Sequence, residues 1–125
     1  MYTVTVTDSF VAQHALTVPN PPPGEAELHS HSFETEVTFR GPDLGEYGYL
    51  LDIDLARATL EEVLGRYRDT TLNDRLEGNP SVERLSKALF SELAGIDAPA
   101  VEALTVTVRE DDVAVLGPPL RAVVE

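Results

Sequence analysis

Apolar positions recur along this chain with two periods, and the changes of period mark the elements. Tyr2 to Thr7 reads YTVTVT, a strict alternation rich in β-branched side chains, which predicts a strand. Pro19 to Gly24 (PNPPPG) can be neither helix nor central strand, because proline lacks the amide donor, so a loop is expected there. From His31 to Arg40 the pattern HSFETEVTFR alternates again, with Phe33, Val37 and Phe39 facing one way and Glu34, Glu36 and Arg40 the other. The turn-rich GPDLGEYG (41–48) then leads to Tyr49–Ile53, read as a short third strand in a hairpin with the second.

The period next lengthens to that of a helix. Asp54 is a plausible N-cap for a helix from Leu55 to about Tyr67, with Leu55, Leu60, Val63, Leu64 and Tyr67 near helical spacing. Asn79-Pro80 is expected to open a second helix with proline at its first position, and Val82, Leu85, Leu89 and Leu93 mark its apolar stripe. Ala103–Val108 (ALTVTV) and Val113–Leu116 read as strands joined by a turn at Glu110–Asp112. The order βββααββ predicts an α+β fold, an antiparallel sheet covered on one face by two helices. With 125 residues the chain has the size of one domain, 1–125, and no repeat or boundary interrupts it.

Charge changes this picture most. Nine basic residues against 22 acidic ones give a net charge of -13, and Lys87 is the only lysine. Phosphates would meet carboxylates on such a surface, so neither nucleic acid nor an anionic membrane is an expected partner. An acidic, lysine-poor surface that salt would screen suggests a host with a salty cytoplasm, a halophilic signature. The absence of cysteine removes disulfides, thiolate ligands and thiol nucleophiles. No signal-type stretch or long apolar run is present, so the chain reads as soluble and cytoplasmic.

All three histidines lie between positions 14 and 31. His29 and His31, two apart on an expected strand, point to one face. His14 lies beyond the first predicted strand and comes alongside if strands one and two pair. Three imidazoles without a fourth protein ligand would describe a catalytic zinc site with one open position. Two surface histidines and one packing histidine are the alternative that spacing alone leaves open.

Read whole, the chain resembles the 6-pyruvoyl-tetrahydropterin synthase and 6-carboxy-tetrahydropterin synthase family. Phe10-Val11-Ala12-Gln13-His14-Ala15-Leu16 is similar to the family's Phe-x-Ala-x-His-x-Leu, and His29-Ser30-His31-Ser32-Phe33 to its His-Gly-His-Asn-Tyr. Gly48-Tyr49-Leu50-Leu51-Asp52 resembles its Gly-x-Val-x-Asp. Leu72-Asn73, Asn79-Pro80-Ser81-Val82-Glu83 and Val108-Arg109-Glu110 resemble its Leu-Asn, Asn-Pro-Thr-x-Glu and Val-x-Glu. The resemblance implies a zinc ion on His14, His29 and His31. It also implies a T-fold, a four-stranded antiparallel sheet with two helices on one face, built into an oligomeric barrel, commonly a homohexamer. Glu110 would hold the pterin, its paired oxygens accepting from the amino group and a ring N–H. Otherwise Glu110 is a solvated acid in the run REDD (109–112).

Two departures shift the expected chemistry. The synthases carry a cysteine four residues before the His-x-His pair and an Asp-His pair just before Leu-Asn; here those positions hold Glu25, and Arg68 with Asp69. Members with a glutamate near the missing cysteine resemble enzymes that cut the pterin side chain to 6-hydroxymethyl-7,8-dihydropterin, for folate-type cofactors. The leading expectation is therefore a zinc-dependent lyase acting on 7,8-dihydroneopterin or its phosphate, with Glu25 as the catalytic carboxylate and Asp69 as a candidate second proton acceptor. Glu25 and Asp69 also read as solvated acids, Asp69 beside Arg66 or Arg68, and Arg68 could face a substrate phosphate. Glu83 would offset a helix dipole, and Asp52 would cap a helix or orient a histidine. Retained synthase activity, and a module that binds pterin and zinc without turnover, are the alternatives.

Overall fold

The computed structural model describes residues 1–111 and 113–116, the last four as backbone only. In chain order the elements are β1 (Tyr2–His14), β2 (His29–Gly41), α1 (Ile53–Gly65), a single 3-10 turn (Leu72–Asp74), α2 (Val82–Leu93), β3 (Ala103–Glu110) and β4 (Val113–Leu116). The strands form one antiparallel sheet in the order β1-β2-β3-β4. Alternation in β2 sends Phe33, Val37 and Phe39 to the buried face, as the pattern requires, next to Val6 and Phe10 of β1 and Leu104, Val106 and Val108 of β3. Helices of 13 and 12 residues have little stability alone. They are held because Leu60 and Leu64 of α1 and Leu85, Leu89 and Leu93 of α2 are fully buried in the core cluster that includes these sheet residues. Each such side chain contributes roughly 1.5–3 kcal/mol by leaving water. Among the described residues no helix is long and apolar enough to cross a membrane.

Four boundaries differ from those read in the sequence. Tyr49–Ile53 is not a strand: residues 50–51 form a bend, and Ile53 begins α1. Leu50 and Leu51 are both buried although adjacent, which a strand with one buried face does not allow. The sheet thus has four strands, as the family resemblance implies, rather than the five of the periodicity, and its first hairpin-like pairing is β1 with β2. Asp52, not Asp54, is the N-cap of α1; its carboxylate accepts from the backbone N–H of Asp54 and Leu55. Pro80 stands before α2 rather than in its first turn, and Ser81 caps that helix by accepting from the Arg84 N–H. Finally, β1 and β3 run further than predicted, to His14 and to Glu110, so His14 closes a strand instead of lying beyond it. In the turn expected at Glu110–Asp112, Glu110 still belongs to β3, Asp111 turns, and Asp112 lies outside the described residues.

The long connection from β1 to β2 contains the proline loop and is pinned from the far side of the sequence. Asn73 holds Ala15 by both backbone groups, its Oδ1 accepting from the Ala15 N–H and its Nδ2 donating to the Ala15 carbonyl, each at 2.9 Å. Asn79 Oδ1 accepts from the Thr17 N–H at 2.8 Å. The Leu16 N–H then donates to the Glu25 carbonyl at 2.7 Å, which closes the loop and fixes where Glu25 stands.

Candidate metal centre

Strand register brings the histidines together. β1 and β2 pair with His14 opposite His29, Ala12 opposite His31, and Phe10 opposite Phe33. Directly opposed residues of an antiparallel pair project to the same face, so all three imidazoles stand at one end of the buried face. Their ring centroids lie 4.6, 4.8 and 5.1 Å apart. The small side chain of Ala12 faces His31 across the pair, and the Phe33 ring lies edge-on to His14 and His31 at 6.3 and 6.1 Å, giving the cluster an apolar floor.

Hydrogen bonds fix the face that each ring offers. The Nδ1 atoms of His14, His29 and His31 point at the Pro80 carbonyl (2.9 Å), the Glu27 carbonyl (2.8 Å) and the Asp111 carboxylate (2.8 Å). All three are acceptors, so each Nδ1 carries the proton and each Nε2 presents its lone pair. Those Nε2 atoms are buried and make no hydrogen bond among the described residues. A buried polar atom without a partner costs about 1–3 kcal/mol, and here three of them face one another. A shared cation relieves all three, so these donors fit a metal ion; with one Glu25 oxygen, their ligand atoms lie within 4.8 Å of one another. Imidazole nitrogens with carboxylate oxygen and no thiolate suit zinc and also iron, nickel or copper.

Two carboxylates approach the same point. Glu25 Oε2 is 3.1 Å from His29 Nε2, and the side chain is 34% exposed, so it borders both the histidines and solvent. Glu110, the last residue of β3, brings Oε1 to 2.9 Å from His31 Nε2 and 3.6 Å from His14 Nε2, out of line for a hydrogen bond. Asp69 is not brought into the cluster. It is exposed, adopts a left-handed backbone (φ 58°), and donates its backbone N–H to the Val11 carbonyl on the outer edge of β1. Its expected neighbours are engaged elsewhere, Arg68 with Asp8 and the Ser9 carbonyl, and Arg66 with Glu62 and Glu92. Glu83 lies in the first turn of α2, where the helix dipole favours it.

Sequence reasoning missed Asp111. In the sequence it stands only as part of the turn in an acidic run, where consecutive charges ordinarily mean solvent. Its carboxyl is held below the usual range, chiefly by the hydrogen bond from His31, against an opposing effect of burial. Pro80 likewise signals a helix start in the sequence, which gives no sign that its carbonyl accepts from His14.

Comparison with known proteins follows the same lines. A family model described as 6-pyruvoyl tetrahydropterin synthase matches residues 3–116. The fold is similar to that of the 6-pyruvoyl tetrahydropterin synthase of Caenorhabditis elegans, with a TM-score of 0.73, 20% sequence identity, and coverage of 94% of this chain and 96% of that one. The structure of the Plasmodium falciparum 6-pyruvoyl tetrahydropterin synthase gives a TM-score of 0.72 at 14% identity, covering 92% and 95%. No curated protein sequence matches the chain significantly.

Proposed function

The chain belongs to the 6-pyruvoyl tetrahydropterin synthase family, lyases of pterin biosynthesis, and from that premise we propose that it is a zinc-dependent lyase. It cleaves the side chain of 7,8-dihydroneopterin, or of its phosphate, to 6-hydroxymethyl-7,8-dihydropterin. The observation that carries the proposal is the set of three orphaned Nε2 atoms with the Glu25 carboxylate at their margin. A cation bound there by His14, His29 and His31 supplies Lewis acidity toward a side-chain hydroxyl.

Glu25 takes the proton of the hydroxyl on the second side-chain carbon. The bond between the first and second carbons breaks, and its electron pair passes to the first carbon and into the conjugated C=N of the dihydropterin ring. The proton is returned to the first carbon, and a two-carbon hydroxyaldehyde leaves, so no oxidant or reductant is consumed. Glu25, 3.1 Å from His29 Nε2 and one-third exposed, borders both the histidines and solvent, which suits a carboxylate to such a transfer. Glu110 accepts hydrogen bonds from the pterin amino group and ring N–H; that role requires its carboxylate to rotate away from the histidines. We assign no step to Asp69. A homo-oligomer, a hexamer by resemblance, fits the outer edge of β1, whose backbone is met by residues 69–71 only at Val11 and Gln13, and the exposed Tyr47 and Tyr49. One domain spanning 1–125 is part of the same reading.

Incubating the zinc-loaded chain with 7,8-dihydroneopterin and, separately, with its triphosphate, followed by mass analysis, tests this. The proposal expects a hydroxymethyl-dihydropterin and the two-carbon fragment. A 6-carboxy- or 6-pyruvoyl-tetrahydropterin would move the chain to synthase chemistry, and recovery of intact substrate would leave a binding module.

A further inference from the structure

The three histidines are not held alike. His14 and His29 donate from Nδ1 to neutral backbone carbonyls, of Pro80 and Glu27, whereas His31 donates to a carboxylate, that of Asp111, at 2.8 Å. The chain is arranged to keep that carboxylate in place. Asp111 follows the last residue of β3 and adopts a left-handed backbone (φ 54°), a conformation that aspartate tolerates better than most residues. Its N–H donates to the Ser32 carbonyl at 3.0 Å, and its Oδ1 accepts from the Ser32 N–H at 3.4 Å. Main chain and side chain of Asp111 are thus both tied to the residue that follows His31, one step past the register pair Phe33–Glu110.

We propose that Asp111 is a positioning residue for the metal centre, which locks the His31 ring with Nε2 toward the cation and makes that ring the strongest donor of the three. The inference rests on the metal-site reading above and adds a residue to it. A carboxylate accepting from Nδ1–H pushes electron density onto the imidazole, so Nε2 binds a cation more strongly than it would with a carbonyl partner. It also holds the ring against rotation in the one histidine whose opposite strand neighbour, Ala12, is too small to confine it. The extra negative charge adds to those of Glu25 and Glu110 beside the histidines and lowers the net charge of the loaded centre, which favours retention of a divalent ion.

The test compares full-length wild type, Asp111→Ala, Asp111→Asn and Glu61→Gln. Zinc affinity is read by competition with a chromophoric chelator, and the site by the visible spectrum of the cobalt-loaded protein. Glu61 is an exposed acid on α1, and its change removes the same unit of charge far from the histidines. D111A should weaken zinc binding about 10–100-fold and alter the cobalt spectrum. D111N, which keeps an oxygen acceptor without the charge, should fall between D111A and wild type, and E61Q should match wild type. Thermal unfolding of the metal-free proteins identifies any variant that fails to fold, and D111N carries the comparison if D111A does. Affinities for D111A and D111N within twofold of wild type would overturn the role of Asp111 while leaving the metal site standing. Absence of zinc binding by the wild type would overturn both.

Discussion

Four side chains separate binding from catalysis in this account: zinc content reads His14 and His29, and turnover reads Glu25 and Asp69. Replacing His14 or His29 by alanine removes a ligand, and the zinc content should fall from one per chain to near zero. Glu25→Gln should instead keep the metal and lower turnover by roughly 10²–10⁴-fold, the usual worth of a general base; equal rates would remove Glu25 from the mechanism. Asp69→Asn, exposed and apart from the cluster, should stay within a few-fold of wild type. Thr35 offers a test of the packing. It is fully buried on the core face of β2, and its hydroxyl has no partner among the described residues. Valine of the same shape removes the stranded hydroxyl, so Thr35→Val should stabilise the fold by about 1 kcal/mol in denaturant titration. The gathering of the three histidines was partly legible in the sequence: alternation put His29 and His31 on one face, and His14 joined them only through the family motif and the pairing of β1 with β2. Asp111 was not, because its value comes from a left-handed backbone at a strand end, which a run of charges conceals.

Local signals and the hydrophobic pattern pull in different directions at the start of α1. Alternation could not distinguish Tyr49–Ile53 as a strand from two adjacent buried leucines in a bend, because five residues are too few to establish a period. What settles it is tertiary: Leu50 and Leu51 are both buried, and Asp52 caps the helix that follows. Asp52→Ala should therefore cost about 1 kcal/mol through two lost bonds to the first turn, whereas Asp54→Ala should cost less, since Asp54 only faces the helix dipole. Thermal melts of the two variants check the order. The ends of β1 and β3 were underestimated for a related reason. Polar Gln13, His14, Arg109 and Glu110, at the strand ends beside the histidine cluster, break the apolar pattern although register continues through them. Asn73 and Asn79 gave no sequence sign of clamping Ala15 and Thr17, because hydrogen bonds across about 60 residues of chain leave no local signature.

Across the whole molecule, a net charge of -13 sets conditions under which the site must work. Self-repulsion opposes the compact state, and ions screen it over about 8–10 Å at physiological strength, so the melting temperature should rise between low and molar sodium chloride; a flat dependence would remove the halophilic reading. The same field attracts cations, and zinc, binding only the folded chain, should add stability of roughly 2.7 kcal/mol at a hundredfold excess over its dissociation constant. The central claim is that one cation is shared by His14, His29 and His31. X-ray absorption at the zinc edge of the stoichiometrically loaded protein tests it most directly. The account predicts first-shell nitrogen and oxygen at about 2.0–2.1 Å, with the outer-shell scattering of three imidazoles. Fewer imidazoles, or a metal content well below one per chain, would contradict it.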